Sequence, residues 1–157
     1  MLCGWPFLHA SAQQVKGKKQ SATVQQGSKS KVAVLVPVTL GNSTVKDSVM
    51  SPEEFNRRVK EGLKISDSRF SGAVMEGFDF TYMERNIYED SVGNYIPVLD
   101  VLTERCLGDT LTPIAISAMS YRAKHGDTAL FNNIRMKLPD GRVGIGREFK
   151  IVLQAAK

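Results

Sequence analysis

The chain has 157 residues, 42% of them hydrophobic and 24% charged, with a formal net charge of +5. That is the composition of a globular protein, and no apolar run approaches the roughly eighteen residues that cross a bilayer, so a membrane-spanning helix is not expected. The charge is unevenly placed: of 21 Lys and Arg, only Lys16, Lys18, Lys19, Lys29 and Lys31 lie in positions 1–31, where no acid occurs, and the other 16 balance 16 Asp and Glu.

These five lysines are spaced by Gln, Ser, Gly and Thr, side chains that stay hydrated and bury too little apolar area to offset the entropy of ordering. Residues 1–31 therefore read as a disordered, basic N-terminal arm able to neutralise phosphates and release their counterions. Residues 32–157 read as one globular domain, since roughly 125 residues suffice for a single core. The opening MLCGWPFLHASA carries an apolar patch, but no basic residue precedes it and Gly4 and Pro6 interrupt it, unlike a secretory signal. The absence of acids before Asp47 suggests mitochondrial import, a lesser reading because no Arg precedes Arg57. Cys3 and Cys106 provide no disulfide framework, which favours reduced thiols in a cytoplasmic setting, a virion being the other setting that a coat protein would occupy.

After the arm, the β-branched run from Lys31 to Leu40 predicts a strand, with Pro37 placing it at an edge or a bulge. Ser51-Pro52-Glu53-Glu54 is a helix start: Ser51 suits the N-cap, Pro52 the first turn, and Glu54 the return bond of a capping box. Phe55, Val59 and Leu63 then recur every four residues, predicting one amphipathic helix over 52–64.

Beyond the helix the period becomes two. From Gly77 onward, Phe78, Phe80 and Tyr82 alternate with Asp79, Thr81 and Met83, and a turn near Gly93-Asn94 leads into the apolar run from Tyr95 to Leu102. A hairpin is expected, although 98–107 also admits a short helix that would place Asp100 and Glu104 on one face. Leu111 to Arg122 reads as a further apolar segment in a strand-rich third. Asn133–Leu138, the Pro139-Asp140-Gly141 turn and Arg142–Leu153 predict a terminal hairpin with Val143, Ile145, Arg147, Phe149 and Ile151 on one side. The whole reads as a β-rich α+β domain: a single antiparallel sandwich or partly open barrel, one helix and the basic arm.

Catalytic patterns are thin. Gly141, Gly144 and Gly146 alternate within a strand rather than opening a helix, so they mark a bend or a close approach and not a phosphate loop. His9, His125, Cys3 and Cys106 lack zinc-ligand spacing, and neither Cys106 nor His125 has a catalytic companion in sequence. No cofactor is expected. Asp140 followed by Glu148 and Lys150 resembles the carboxylate and lysine pattern of the restriction-type nuclease family. The resemblance implies two carboxylates holding Mg²⁺ while the lysine helps activate water; the other explanation is a Pro-Asp-Gly turn followed by a surface Glu and Lys.

The remaining chemistry is basic and aromatic. Arg135, Lys137, Arg142, Arg147 and Lys150 cluster in the terminal hairpin, and Phe78, Phe80, Tyr82, Tyr88 and Tyr95 are either core or a base-stacking surface. A neutral body behind a charged arm resembles in plan the small coat proteins of plant viruses. The leading expectation is a non-enzymatic nucleic-acid-associated coat or packaging protein, binding single-stranded RNA or DNA and capable of forming a homo-oligomer. A stand-alone single-strand-binding domain and the metal-dependent nuclease are the alternatives.

Overall fold

Pro37 splits the first hydrophobic run in two. In the computed structural model, which describes residues 33–43 and 48–155, β1 (Val34–Val36) and β2 (Val38–Leu40) lie on either side of it and join different sheets. The Pro37 carbonyl accepts from the Ser66 N–H at 3.2 Å. The rest of the chain contributes β3 (Ser48–Met50), α1 (Pro52–Glu61), β4 (Leu63–Ile65), a 3-10 turn (Ser68–Phe70), β5 (Val74–Glu89), β6 (Tyr95–Leu107), α2 (Pro113–Arg122), β7 (Thr128–Lys137), β8 (Val143–Gly146) and β9 (Phe149–Leu153). The arm lysines Lys16, Lys18, Lys19, Lys29 and Lys31 lie outside the described residues.

Seven strands form a curled half-barrel in the order β1–β8–β7–β5–β6, with β9 continuing beside β7 and β3 beside β9. β2 and β4 make a small antiparallel sheet. The architecture is β-rich α+β, as the alternating patterns predict, with two departures. β1 and β3 pair in parallel with β8 and β9, so the large sheet is mixed at that edge. There are also two helices: α2 occupies the Leu111–Arg122 segment expected to be strand-like, capped by Thr112, whose hydroxyl accepts the Ala115 N–H at 3.2 Å.

α1 begins as its sequence predicts, with the Ser51 hydroxyl accepting the Glu54 N–H at 3.2 Å. The Glu54 carboxylate instead reaches forward to Arg57 and Arg58, the latter through Nε at 2.6 Å. The helix stops at Glu61 because Gly62 takes φ 73°, a conformation that suits glycine, and Leu63 leaves to pair with Leu40 in the small sheet. The alternative helix over 98–107 is not formed; the stretch lies within β6, in unbroken antiparallel register with β5 from Gly77↔Leu107 to Glu89↔Tyr95.

Both helices cover one face of the large sheet. Phe55 and Val59 of α1 and Ala115 and Met119 of α2 are buried with Phe78, Phe80, Tyr82, Phe131, Ile134 and Met136. Phe55 stacks on Tyr82 with ring centroids 6.2 Å apart, and Phe131 stacks on Phe149 at 4.8 Å.

The curl follows a line of irregularities across the strands. The β5–β7 register shifts between Met75 and Gly77 and again between Gly77 and Asp79, and Asn133 of β7 adopts φ 48°. Each extra residue bends its strand and reverses which side chains face inward. Phe131 and Ile134 therefore both point to the core, and across the Arg147-Glu148 break Val143 and Ile145 point outward while Ile151 points inward. The expected single face of Val143, Ile145, Arg147, Phe149 and Ile151 is thus divided by that break. Gly144 and Gly146 face the core, where a Cβ would stand 2.6 Å from Met136 Cγ and 2.5 Å from Ile134 Cγ2, so their glycines reflect close approach.

Candidate nucleic-acid interface

The sheet face opposite the helices is uncovered by any described element. Along β7 beyond Asn133, Arg135 and Lys137 alternate with buried Ile134 and Met136 and project from this outer face. Arg135 pairs across the ladder with Ile145 and Lys137 with Val143, both partly exposed, so the two cations stand beside an apolar strip. Neither forms an ion pair with another described residue among the salt bridges of the fold.

The bulge at Asn133 opens a shallow depression next to Arg135, lined by Arg105, Asn133, Ile134, Arg135 and Ile145. Arg105 comes from β6 and binds Asp79 Oδ1 at 2.7 Å, and Asn133 donates from Nδ2 to Asp79 Oδ2 at 2.6 Å. The guanidinium, followed by the amide, holds the Asp79 carboxyl below the usual carboxylate range. The site thus offers one guanidinium without a described ion-pair partner, one held by a carboxylate, and an amide, a donor-rich set suited to phosphate oxygens.

The structure separates the other predicted basic residues. Lys150 is exposed on β9 opposite Leu130, further along the same outer face. Arg142 is in the turn after β7 and binds Asp140 Oδ2 through Nε at 2.6 Å. Arg147 sits exposed at the break between β8 and β9, its N–H donating to the Val36 carbonyl. Asp140 also accepts the Arg142 N–H at 2.9 Å, the bond that fixes an Asx turn. Among the described residues no three His, Cys, Asp or Glu side chains gather where they could hold a metal ion.

Phe78, Phe80 and Tyr82 are buried beneath the helices, so these three cannot present rings to bases without unfolding the core. Tyr88 and Tyr95, at the exposed end of the β5–β6 ribbon, remain accessible.

A second polar cluster escaped sequence reading. Glu84 of β5, 8% exposed, binds Arg122 Nε at 2.8 Å and Lys124 Nζ at 2.9 Å. Lys124 also donates to Asn86, and Asn86 and Tyr88 both donate to Asp100 Oδ2. The Lys124 ammonium, then Arg122, hold the Glu84 carboxyl below its usual range against the opposing effect of burial. Every charge here has a partner, so the cluster fastens α2 and the loop after it to the ribbon.

No characterised protein family matches the chain, and no curated protein resembles it at a significant level. Among the described residues, no helix is long and apolar enough to cross a membrane.

Proposed function

We propose that the chain is a nucleic-acid-associated structural protein of coat or packaging type. Its arm lysines and the outer face of its sheet contact phosphates, and the charge-balanced remainder of its β-rich body meets other copies. The observation that carries this reading is the placement of Arg135 and Lys137 on an uncovered sheet face, without acidic partners in the described fold, in a body whose total charge is balanced. Phosphate contacts of this kind position a chain on nucleic acid without reading sequence.

The test is anisotropy of labelled single- and double-stranded oligonucleotides across a salt series. The full chain is compared with a variant carrying Gln at Lys16, Lys18, Lys19, Lys29 and Lys31. The full chain is expected to bind, and on single strands its logarithmic salt slope should be steeper than the variant's by about 0.7 for each phosphate that the arm neutralises. No binding by the full chain at low salt would overturn the reading.

A further inference from the structure

The β6 edge of the large sheet carries a second kind of surface. Asp90 donates its N–H to the Asn94 carbonyl at one end of the β5–β6 ribbon, and Gly108 donates to the Glu76 carbonyl at the other. In an antiparallel ladder, residues alternate in turning both backbone groups toward or away from the neighbour. Even-numbered residues of β6 therefore serve β5, and odd-numbered ones turn outward. Pro97, which has no N–H, falls on the outward side, where an edge strand tolerates it. The N–H and C=O groups of Leu99, Val101, Thr103 and Arg105 then form an open row with no described strand beside it.

The two edges of the sheet are treated differently. At the far edge, β1 and β3 are three residues each, too short to template another chain. β6 runs for 13 residues without a register shift or a lysine, and its one cation, Arg105, is held by Asp79. Its outer face also ends a row that is apolar apart from the Thr128 hydroxyl: Val49, Val152, Thr128, Met83 and Val101 are in register across β3, β9, β7, β5 and β6. Val101 is left 59% exposed at the end of that row.

We propose that this edge pairs with the same edge of a second copy, β6 antiparallel to β6 about a two-fold axis through Val101. Length and charge together select the register: Val101 is the midpoint of Tyr95–Leu107, so only this centre pairs the strand over its whole length, and charge excludes the two adjacent centres. Centring on Asp100 would oppose Asp100 to itself, and centring on Leu102 would oppose Asp100 to Glu104, in each case like charges directly across the ladder. Centring on Val101 places Asp100 across from Leu102 and Glu104 across from Val98, and it joins the two apolar rows through a Val101–Val101 contact. The outward groups of Leu99 and Thr103 meet reciprocally, and the missing Pro97 donor costs one bond on each side. An isologous contact of this kind closes as a dimer. It deepens the assembly part of the proposed function and does not depend on nucleic-acid binding.

Sedimentation velocity of the full chain without nucleic acid, across the micromolar range, tests it, so that its failure leaves the phosphate-contact reading untouched. A concentration-dependent dimer is expected. Val101→Pro removes the two central donors without touching the β5 ladder, and Val101→Lys opposes two charges at the axis; both should sediment as monomers, with a melting temperature that no longer rises with concentration and matches the wild type at high dilution. Paired Cα atoms at such a position lie about 5.5 Å apart, within disulfide reach. In a Cys3→Ser background, Val101→Cys should therefore oxidise to a covalent dimer, while Val49→Cys at the opposite edge should not. A wild-type monomer throughout, or dimers that survive both substitutions at Val101, would overturn the proposal. If Val101→Pro disturbs folding, the lysine variant and the cross-link decide.

Discussion

Tyr82, midway along β5, donates its hydroxyl to Asp127 Oδ2 over 2.5 Å, and both residues are buried. Asp127 also accepts the Arg85 N–H at 2.9 Å and the Lys124 N–H at 3.1 Å, so one carboxylate ties the sheet to the loop between α2 and β7. Burial, then the bond to Asp127, pushes the Tyr82 phenol well above its ordinary value. The two ends of this bond are unequal. Tyr82→Phe removes one of three donors and should cost about 1–3 kcal/mol. Asp127→Ala strands all three and should cost about 3 kcal/mol or more. Urea unfolding of the two variants checks the order; equal losses would mean that the backbone donors find other partners.

The glycines allow a graded test of close packing. A Cβ at Gly77 would lie 2.5 Å from the Cys106 carbonyl oxygen, which belongs to the β6 backbone and cannot move alone. At Gly146 it would meet Ile134 Cγ2 at 2.5 Å, a branched and stiff side chain, and at Gly144 Met136 Cγ at 2.6 Å, which can rotate aside. Alanine substitutions should destabilise in the order Gly77, Gly146, Gly144. The last two should cost about 1–3 kcal/mol and Gly77→Ala more. Thermal unfolding gives the ranking, and a Gly144 variant weaker than the Gly77 variant would contradict it.

Local chemistry explains which parts of this fold could be read in advance. Ser51-Pro52 and the Phe55–Val59 spacing located α1 because caps and periodicity are short-range. α2 has an equivalent start in Thr112-Pro113, but Ile114 and Tyr121 remain exposed while only Ala115 and Met119 are buried. Its apolar residues therefore surround the axis, and no helical stripe stood out. The alternation of β7 placed Arg135 and Lys137 on one face, whereas Arg105 joins them only through the β5–β6 register. The reversal of faces at Arg147-Glu148 was hidden for the same reason: a bulge depends on the neighbouring strand as well as its own residues.

The Glu84 cluster should respond to acid. Its folded carboxyl titrates below the ordinary value of 4.5, so its contribution is complete above that value and is lost as pH falls through the lowered one. Glu84→Gln should cost about 1–2 kcal/mol near neutrality, held below the figure for a sealed ion pair because Arg122 and Lys124 reach solvent. The stability gap between wild type and variant should narrow only in acid, below the ordinary value of 4.5. Denaturant midpoints measured across pH would show this convergence, and a constant gap down to strong acid would refute it.

The outer face makes the sharpest functional prediction. Arg135 and Lys137 extend into solvent from a strand whose core residues lie on the other side, so reversing their charge leaves the packing of Ile134 and Met136 intact. Arg135→Glu with Lys137→Glu should shift stability by less than about 0.5 kcal/mol each, as exposed substitutions do. On single-stranded oligonucleotides the double variant should bind about tenfold more weakly or worse at low salt, and its logarithmic salt slope should shallow by about 1.4, the value for two phosphates no longer neutralised. Lys60→Glu with Lys64→Glu, at exposed positions of α1 and β4, changes the net charge equally outside that face. If this control weakens binding as much as the reversal at Arg135 and Lys137 does, the effect is net charge alone. A double variant with the wild-type salt slope would remove the outer face from the interface and leave the arm as the only candidate for phosphate contact.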